Sequence, residues 1–343
     1  MGSRLGLQTI VLPSRPLITG CAAFVGKKEG EGPLGACFDY VTADEMYNQQ
    51  TFELAEKQLY LDAIRKAVEK GGSKVGDVQF LLGGDLLNQI IAASLSAREM
   101  HIPFLGLYGA CSTMAESILL ASMLTDGGYM RRALCTASSH FCSAERQYRF
   151  PLEYGCQRPP TAQWTVTGAG SLLISGLTED FPRAIARIPA LTPGRIVDLG
   201  VTDANNMGAA MAPAAADTLC RHFEDTGTSP SDFDLIISGD LGRVGHDVLL
   251  ELMQQKGHPL DESTYIDCGL EVFTPEQDVH AGGSGCGCSA VVLCSRILHQ
   301  MENHQLRRVL FMATGALLST TSSQQGGTIP GIAHAAVLEA PDR

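Results

Sequence analysis

Helical and extended hydrophobic periods alternate along the whole chain, the pattern of an α/β protein built on a mostly parallel sheet. Over residues 53–70, Leu54, Leu59, Leu61, Ile64 and Val68 recur at helical spacing, and Gly71-Gly72 ends the run. Residues 78–82 read as a short buried strand closed by Gly83-Gly84-Asp85. Helical spacing returns over 90–100, and Pro103 forbids its continuation. Residues 104–108 then read as a strand running into Gly109-Ala110-Cys111. The helix expected over 113–124 is apolar nearly all round, which places it at the centre of the fold.

The chain also repeats itself. Residues 62–86 align without a gap on residues 217–241, with identities at Asp62/Asp217, Glu69/Glu224, Gly72/Gly227, Asp77/Asp232, Gly84/Gly239, Asp85/Asp240 and Leu86/Leu241. Further on, Arg131-Arg132-Ala133-Leu134 aligns on Arg307-Arg308-Val309-Leu310. Two matches in the same order point to a duplicated helix–strand–helix–strand unit. The polar stretch Thr178–Arg183 marks the joint, giving halves at 1–177 and 178–343. No long Gly/Ser/Pro linker separates them, so they pack together, with a ligand site expected near their pseudo-symmetry axis.

Composition narrows the class. Hydrophobic residues make up 45% and charged residues 18%, a globular balance. A net charge of −12 argues against a nucleic-acid partner. No apolar run reaches the roughly 18 residues that a spanning helix needs. The N-terminal apolar stretch is interrupted by Gln8 and Thr9 and has no small-residue cleavage site, so no secretory signal is expected. The 11 cysteines fall mostly in apolar segments, as free core thiols of a reducing compartment do. Cys286-Gly-Cys288 is the one close pair, and no Cys/His spacing suits a metal. The glycines of HAGGSGCGCS are too irregular for a dinucleotide fingerprint, no phosphate-binding loop motif occurs, and no cofactor is expected.

Cys111 carries the candidate chemistry. It stands between a strand and a helix, and Thr113 with Glu116 forms a T-x-x-E capping-box pattern just past it. Free N–H groups and the helix dipole there would stabilise either a thiolate or a ligand carboxylate. Asp85 and Asp240, symmetric in the repeat, read either as pocket acids or as caps of the following turn.

GLYGACSTMAES, the strand RRALCTASSH and VTGAGSLLISG together resemble the first half of the thiolase-like superfamily of thiolases and ketoacyl synthases. The resemblance implies a five-layered α-β-α-β-α fold from two βαβαβαββ halves, a homodimer, and a nucleophile position at Cys111. It is closer still to one branch, the stage V sporulation protein AD family. KEGEGPLG, GGDLLNQ, IPFLGLYGACST, AERQYRFPLEYG, MGAAMAPAAADT, AGGSGCGCSAVV and ATGALLS spread that likeness over nearly the whole chain. This branch implies binding of dipicolinic acid, free or with calcium, and its uptake into the developing spore with stage V membrane proteins as partners. The chain would then act inside a spore-forming bacterium, peripheral to the spore inner membrane.

Binding is favoured over catalysis because the acid/base apparatus is missing. Where starter ketoacyl synthases carry a His-Gln-Ala-Asn element, this chain has Ser238-Gly239-Asp240-Leu241, and where they carry Gly-Asn-Thr-Ser-Ala it offers no asparagine over 285–290. The alternative is an acyltransferase with Cys111 as nucleophile and His280, which loosely resembles a thiolase element, as base. For dipicolinate, two carboxylates call for guanidinium or N–H donors and the ring for an apolar slot. The stretch Ser138–Pro160 supplies Ser139, His140, Arg146, Tyr148, Arg149, Tyr154 and Arg158. Cys111, Ser139, His140, Arg146 and Asp240 form the expected ligand set, with no metal ligand.

Overall fold

A computed structural model describes residues 2–148 and 158–341. Arg149 and Tyr154 of the expected anion-recognition stretch lie outside the described residues. The first half contributes β1 (Leu17–Val25), β2 (Phe80–Gly84), β3 (Phe104–Gly106), β4 (Arg132–Ser139) and β5 (Gly168–Ser175). The second contributes β6 (Ala186–Thr192), β7 (Leu235–Ser238), β8 (Tyr265–Asp267), β9 (Arg308–Ala316) and β10 (Gly331–Glu339). They lie side by side in the order β3-β2-β4-β5-β1-β6-β10-β9-β7-β8. Each half has the same internal pattern: β2 pairs parallel with β3 and β4, and β7 pairs parallel with β8 and β9. The remaining pairs are antiparallel. The halves meet through a short contact in which Leu17 and Ile18 face Arg187 and Ala186.

The helices are α1 (Phe52–Lys70), α2 (Ile91–Met100), α3 (Thr113–Asp126), α4 (Phe141–Tyr148), α5 (Met207–Thr226), α6 (Gly242–Gln255) and α7 (Cys286–Val292). Apart from α4, they place each half in βαβαβαββ order. α1 and α2 cover the outer face of the first sheet, α5 and α6 that of the second, and α3 and α7 fill the space between. The three larger apolar clusters correspond to the three helical layers, and a small fourth one, Leu59, Ala63 and Ala169, lies under α1. This is the expected five-layered arrangement.

The repeat has local causes. β2 begins at Phe80 and β7 at Leu235, which align, as do the starts of β4 and β9 at Arg132 and Arg308. Gly72 and Gly227 both take left-handed φ, at 64° and 67°, where the chain leaves α1 and α5. Asp77 and Asp232 each accept the backbone N–H that opens a matching 3-10 turn, from Lys74 and Ser229. Asn206 accepts the Ala209 N–H and caps α5.

Candidate functional site

After β3 the chain turns sharply. Ala110 takes a left-handed φ of 52°, unusual for a residue with a Cβ, and a 3-10 turn over Ala110–Ser112 runs directly into α3. Cys111 lies inside that turn, buried between the two halves. The capping box expected of Thr113 and Glu116 does not form. Winding starts before Thr113, so its N–H is already bonded to the Ala110 carbonyl, and its hydroxyl donates to the same oxygen at 2.7 Å. Glu116 is left with a buried Oε2 that has no hydrogen-bond partner among the described residues, and burial raises its pKa.

The second half supplies what faces the thiol. Asp240, just beyond β7, is fully buried. Its Oδ2 accepts the Gly285 N–H at 3.0 Å and its Oδ1 accepts the Thr314 hydroxyl at 2.9 Å. The Cys111 thiol lies near enough to this carboxyl and to the Gly285 backbone for both to act on its protonation. Burial pushes Asp240 up to about 7, against the pull of Cys111, Gly285 and Thr314. The same burial, then the Asp240 charge and Cys286, push the Cys111 thiol well above its ordinary value. The expectation of a stabilised thiolate is therefore reversed: desolvation and a neighbouring carboxyl outweigh the helix N-terminus.

Cys286 and Cys288 tie the glycine-rich turn to this pocket. The Cys286 thiol donates to the Ala110 carbonyl at 2.9 Å, and the Cys288 thiol to the Gly239 carbonyl at 3.5 Å. Gly239, within the stretch that the resemblance sets against the synthase element, has little room for any side chain. A Cβ there would sit 3.0 Å from both the Ala313 Cα and the Thr314 N, which are backbone atoms. No His, Cys, Asp and Glu among the described residues cluster in threes as a metal site would require.

The family model for stage V sporulation protein AD matches residues 6–339. The stage V sporulation protein AD of Bacillus subtilis (strain 168) is 48% identical over 335 residues, covering 97% of each chain. The chain belongs to the stage V sporulation protein AD family. Solved structures with the same fold include an acetyl-CoA acetyltransferase from Syntrophomonas wolfei (TM-score 0.62, 10% identity, 95% of this chain and 99% of that one). Human mitochondrial 3-ketoacyl-CoA thiolase in complex with CoA has a TM-score of 0.60 at 13% identity, over 97% of this chain and 99% of that one. The 3-oxoacyl-[acyl-carrier-protein] synthase III of Aquifex aeolicus has a TM-score of 0.56 at 10% identity, over 94% and 99%. At these identities they establish the thiolase-like architecture.

In this member of the stage V sporulation protein AD family, the expected ligand set divides. Cys111 and Asp240 meet. Ser139 stands behind the glycine turn, donating to the Val166 carbonyl at 2.7 Å and accepting the Gly287 N–H at 3.0 Å. His140 is buried with both nitrogens in use: Nε2 lies 2.8 Å from the Glu45 carbonyl, and Nδ1 accepts the Cys142 N–H at 3.2 Å. Burial lowers its pKa, so the ring is neutral and braces α4. Arg146, its side chain 55% exposed, is ion-paired with Glu53. His280 lies 3.9 Å from Asp278, and no hydrogen bond among the described residues joins it to Cys111. Thr314 and Gln163 escaped the sequence reading. The repeat held a signal for Thr314, which aligns on Ser138, whereas Gln163, donating to the Asp240 carbonyl at 2.7 Å, had none.

Proposed function

We propose that the chain binds dipicolinic acid without transforming it, and so supports dipicolinate uptake into the developing spore. One observation carries the non-catalytic part. Gly239, which falls in the stretch that the resemblance sets against the synthase His-Gln-Ala-Asn element, has backbone 3.0 Å from any added Cβ, and the group beside Cys111 is a carboxyl. A thiol held neutral beside a buried carboxyl lacks the imidazole that acyl transfer uses both to activate the nucleophile and to hold the oxyanion. Calorimetric titration of the protein with dipicolinate, with and without calcium, should give saturable heat. Absence of heat in both, together with an unshifted melting temperature, overturns the reading.

One observation favours acyl transfer by Cys111. Asp240, with a pKa of about 7, sits within reach of the thiol and could take its proton. That reading requires an acyl adduct on Cys111.

In the same proposal, a second copy pairs along β3, the outer strand of the first sheet. Leu105 is 41% exposed there and Tyr108, two residues past the strand's end, 50%, whereas Tyr265 on the matching β8 is buried. Sedimentation should give twice the chain mass, and Leu105→Arg should halve it. No helix among the described residues is long and apolar enough to cross a membrane. The uptake proposal assigns passage of the ligand to separate stage V membrane proteins, with this chain lying against the spore inner membrane.

A further inference from the structure

Two arginines in this chain show what a guanidinium edge does. Arg132 places Nε and Nη2 on the two oxygens of Asp180, both at 2.9 Å. Arg195 does the same with Asp217, at 2.9 and 2.6 Å. That edge presents two parallel N–H donors at the spacing of a carboxylate. Arg158 differs. Its side chain is 17% exposed, and only Nη1 is engaged, 3.4 Å from Glu145. Its Nε and Nη2 are buried without a hydrogen-bond partner among the described residues. Two orphaned donors on one buried cation are costly, because each has given up water for nothing.

The surroundings specify what would satisfy them. The Arg158 guanidinium lies 5.0 Å from the centre of the Trp164 ring. Trp164 stacks on Phe141 at 3.9 Å with planes 9° apart, and Lys28 places its ammonium 4.0 Å from the Trp164 centre. Lys28 also donates to the Gln277 carbonyl at 2.7 Å. Two cations thus flank one aromatic pair. The cluster is joined to the Cys111 pocket. Trp164 and Thr165 pair with Gly283 and Ser284, immediately before the Gly285 that bonds Asp240. Thr165 in turn donates to Glu145 at 3.2 Å.

We propose that the Nε–Nη2 edge of Arg158 is a carboxylate-binding fork for a planar aromatic carboxylate, with Phe141 and Trp164 as its apolar wall. Lys28 supplies the charge for a second carboxylate. That the ligand is dipicolinate rests on the function proposed above; the fork itself does not.

Titration calorimetry with dipicolinate, picolinate (one carboxylate) and benzoate tests it, on wild type, Arg158→Lys, Trp164→Leu and Lys28→Gln. Arg158→Lys keeps the charge and loses the fork, and should weaken dipicolinate and picolinate at least about tenfold. Lys28→Gln should weaken dipicolinate and leave picolinate within about twofold. Should Arg158→Lys fail to fold, judged by its melting curve, Trp164→Leu carries the test with a loss for all ligands that bind wild type. If wild type binds dipicolinate and Arg158→Lys binds it equally well, the fork is wrong while the proposed function stands. If wild type takes picolinate or benzoate through Arg158 and refuses dipicolinate, the function fails and the fork stands. If wild type binds none of the three, both fall.

Discussion

The ends of β2 and β7 descend from one duplicated segment, yet they do different work. Each reads Gly-Asp-Leu, at Gly84–Leu86 and Gly239–Leu241. Asp85 turns back on its own half, accepting the Leu87 and Ala93 N–H groups at 2.8 Å each. Asp240 reaches out of its segment to Thr314, the Gly285 turn and the Cys111 thiol of the other half. Both are buried, and burial raises both, Asp85 to about 6 and Asp240 to about 7. The same acid is a backbone cap in one half and a pocket wall in the other. What separates them is the element inserted opposite: the Cys111 turn packs against the second half's strand ends, so only Asp240 acquires a thiol to face.

The most disruptive way to break the comparison is to restore an imidazole. Gly239→His forces a side chain into backbone and should cost about 3 kcal/mol, read as a lowered denaturation midpoint. A stable variant with new acyltransferase activity would mean the strand end yields more easily than its contacts indicate. Next comes the pair of aspartates. Asp85→Asn leaves one carbonyl oxygen for two backbone donors and should cost about 2 kcal/mol. Asp240→Asn at pH 7 should cost under about 1 kcal/mol, because the Thr314 hydroxyl can reverse and accept from the new amide. Equal losses in the two variants would erase the distinction.

Proton linkage sharpens the same contrast. With both carboxyls raised, the folded chain holds protons that the unfolded chain has released above about pH 4. Their contribution to stability is thus fullest below about pH 4 and is lost as pH rises toward 6 for Asp85 and 7 for Asp240. Each group contributes a slope of up to about 1.4 kcal/mol per pH unit inside its window. Asp240→Asn should remove the part of the slope between pH 6 and 7, measured as melting temperature against pH. An unchanged slope would assign it to other buried carboxyls such as Glu29, itself raised to about 8 by burial. The smallest effect concerns reactivity alone. Iodoacetamide at pH 8 should label exposed Cys37 well before Cys111, whose thiol is buried and raised. Rapid labelling of Cys111 would show a thiolate there.

Much of the fold was legible because it rests on periodicity and repetition. The helix over 53–70 and the central helix after Cys111 follow from spacing, the strand expected over 78–82 runs instead over Phe80–Gly84, and the repeat predicted the two halves' matching strand starts. The site was legible only where one half of it is local. Cys111 sits where a strand-to-helix turn must be. The capping box misled because Ala110 adopts a left-handed conformation that lets winding begin early, a choice no residue type announces. His140 and Arg146 stood near the strand end in sequence, but backbone groups claim the first and Glu53 the second. Asp240 beside Cys111, and the two bare N–H groups of Arg158, are tertiary facts between residues far apart in the chain.

The central claim is that this pocket recognises its ligand without reacting with it. Intact-protein mass after incubation with acetyl-CoA and longer acyl-CoA donors at pH 7 to 8 tests it directly. The account predicts an unmodified mass for wild type and Cys111→Ala alike. A stable acyl increment on wild type that disappears in Cys111→Ala would contradict it.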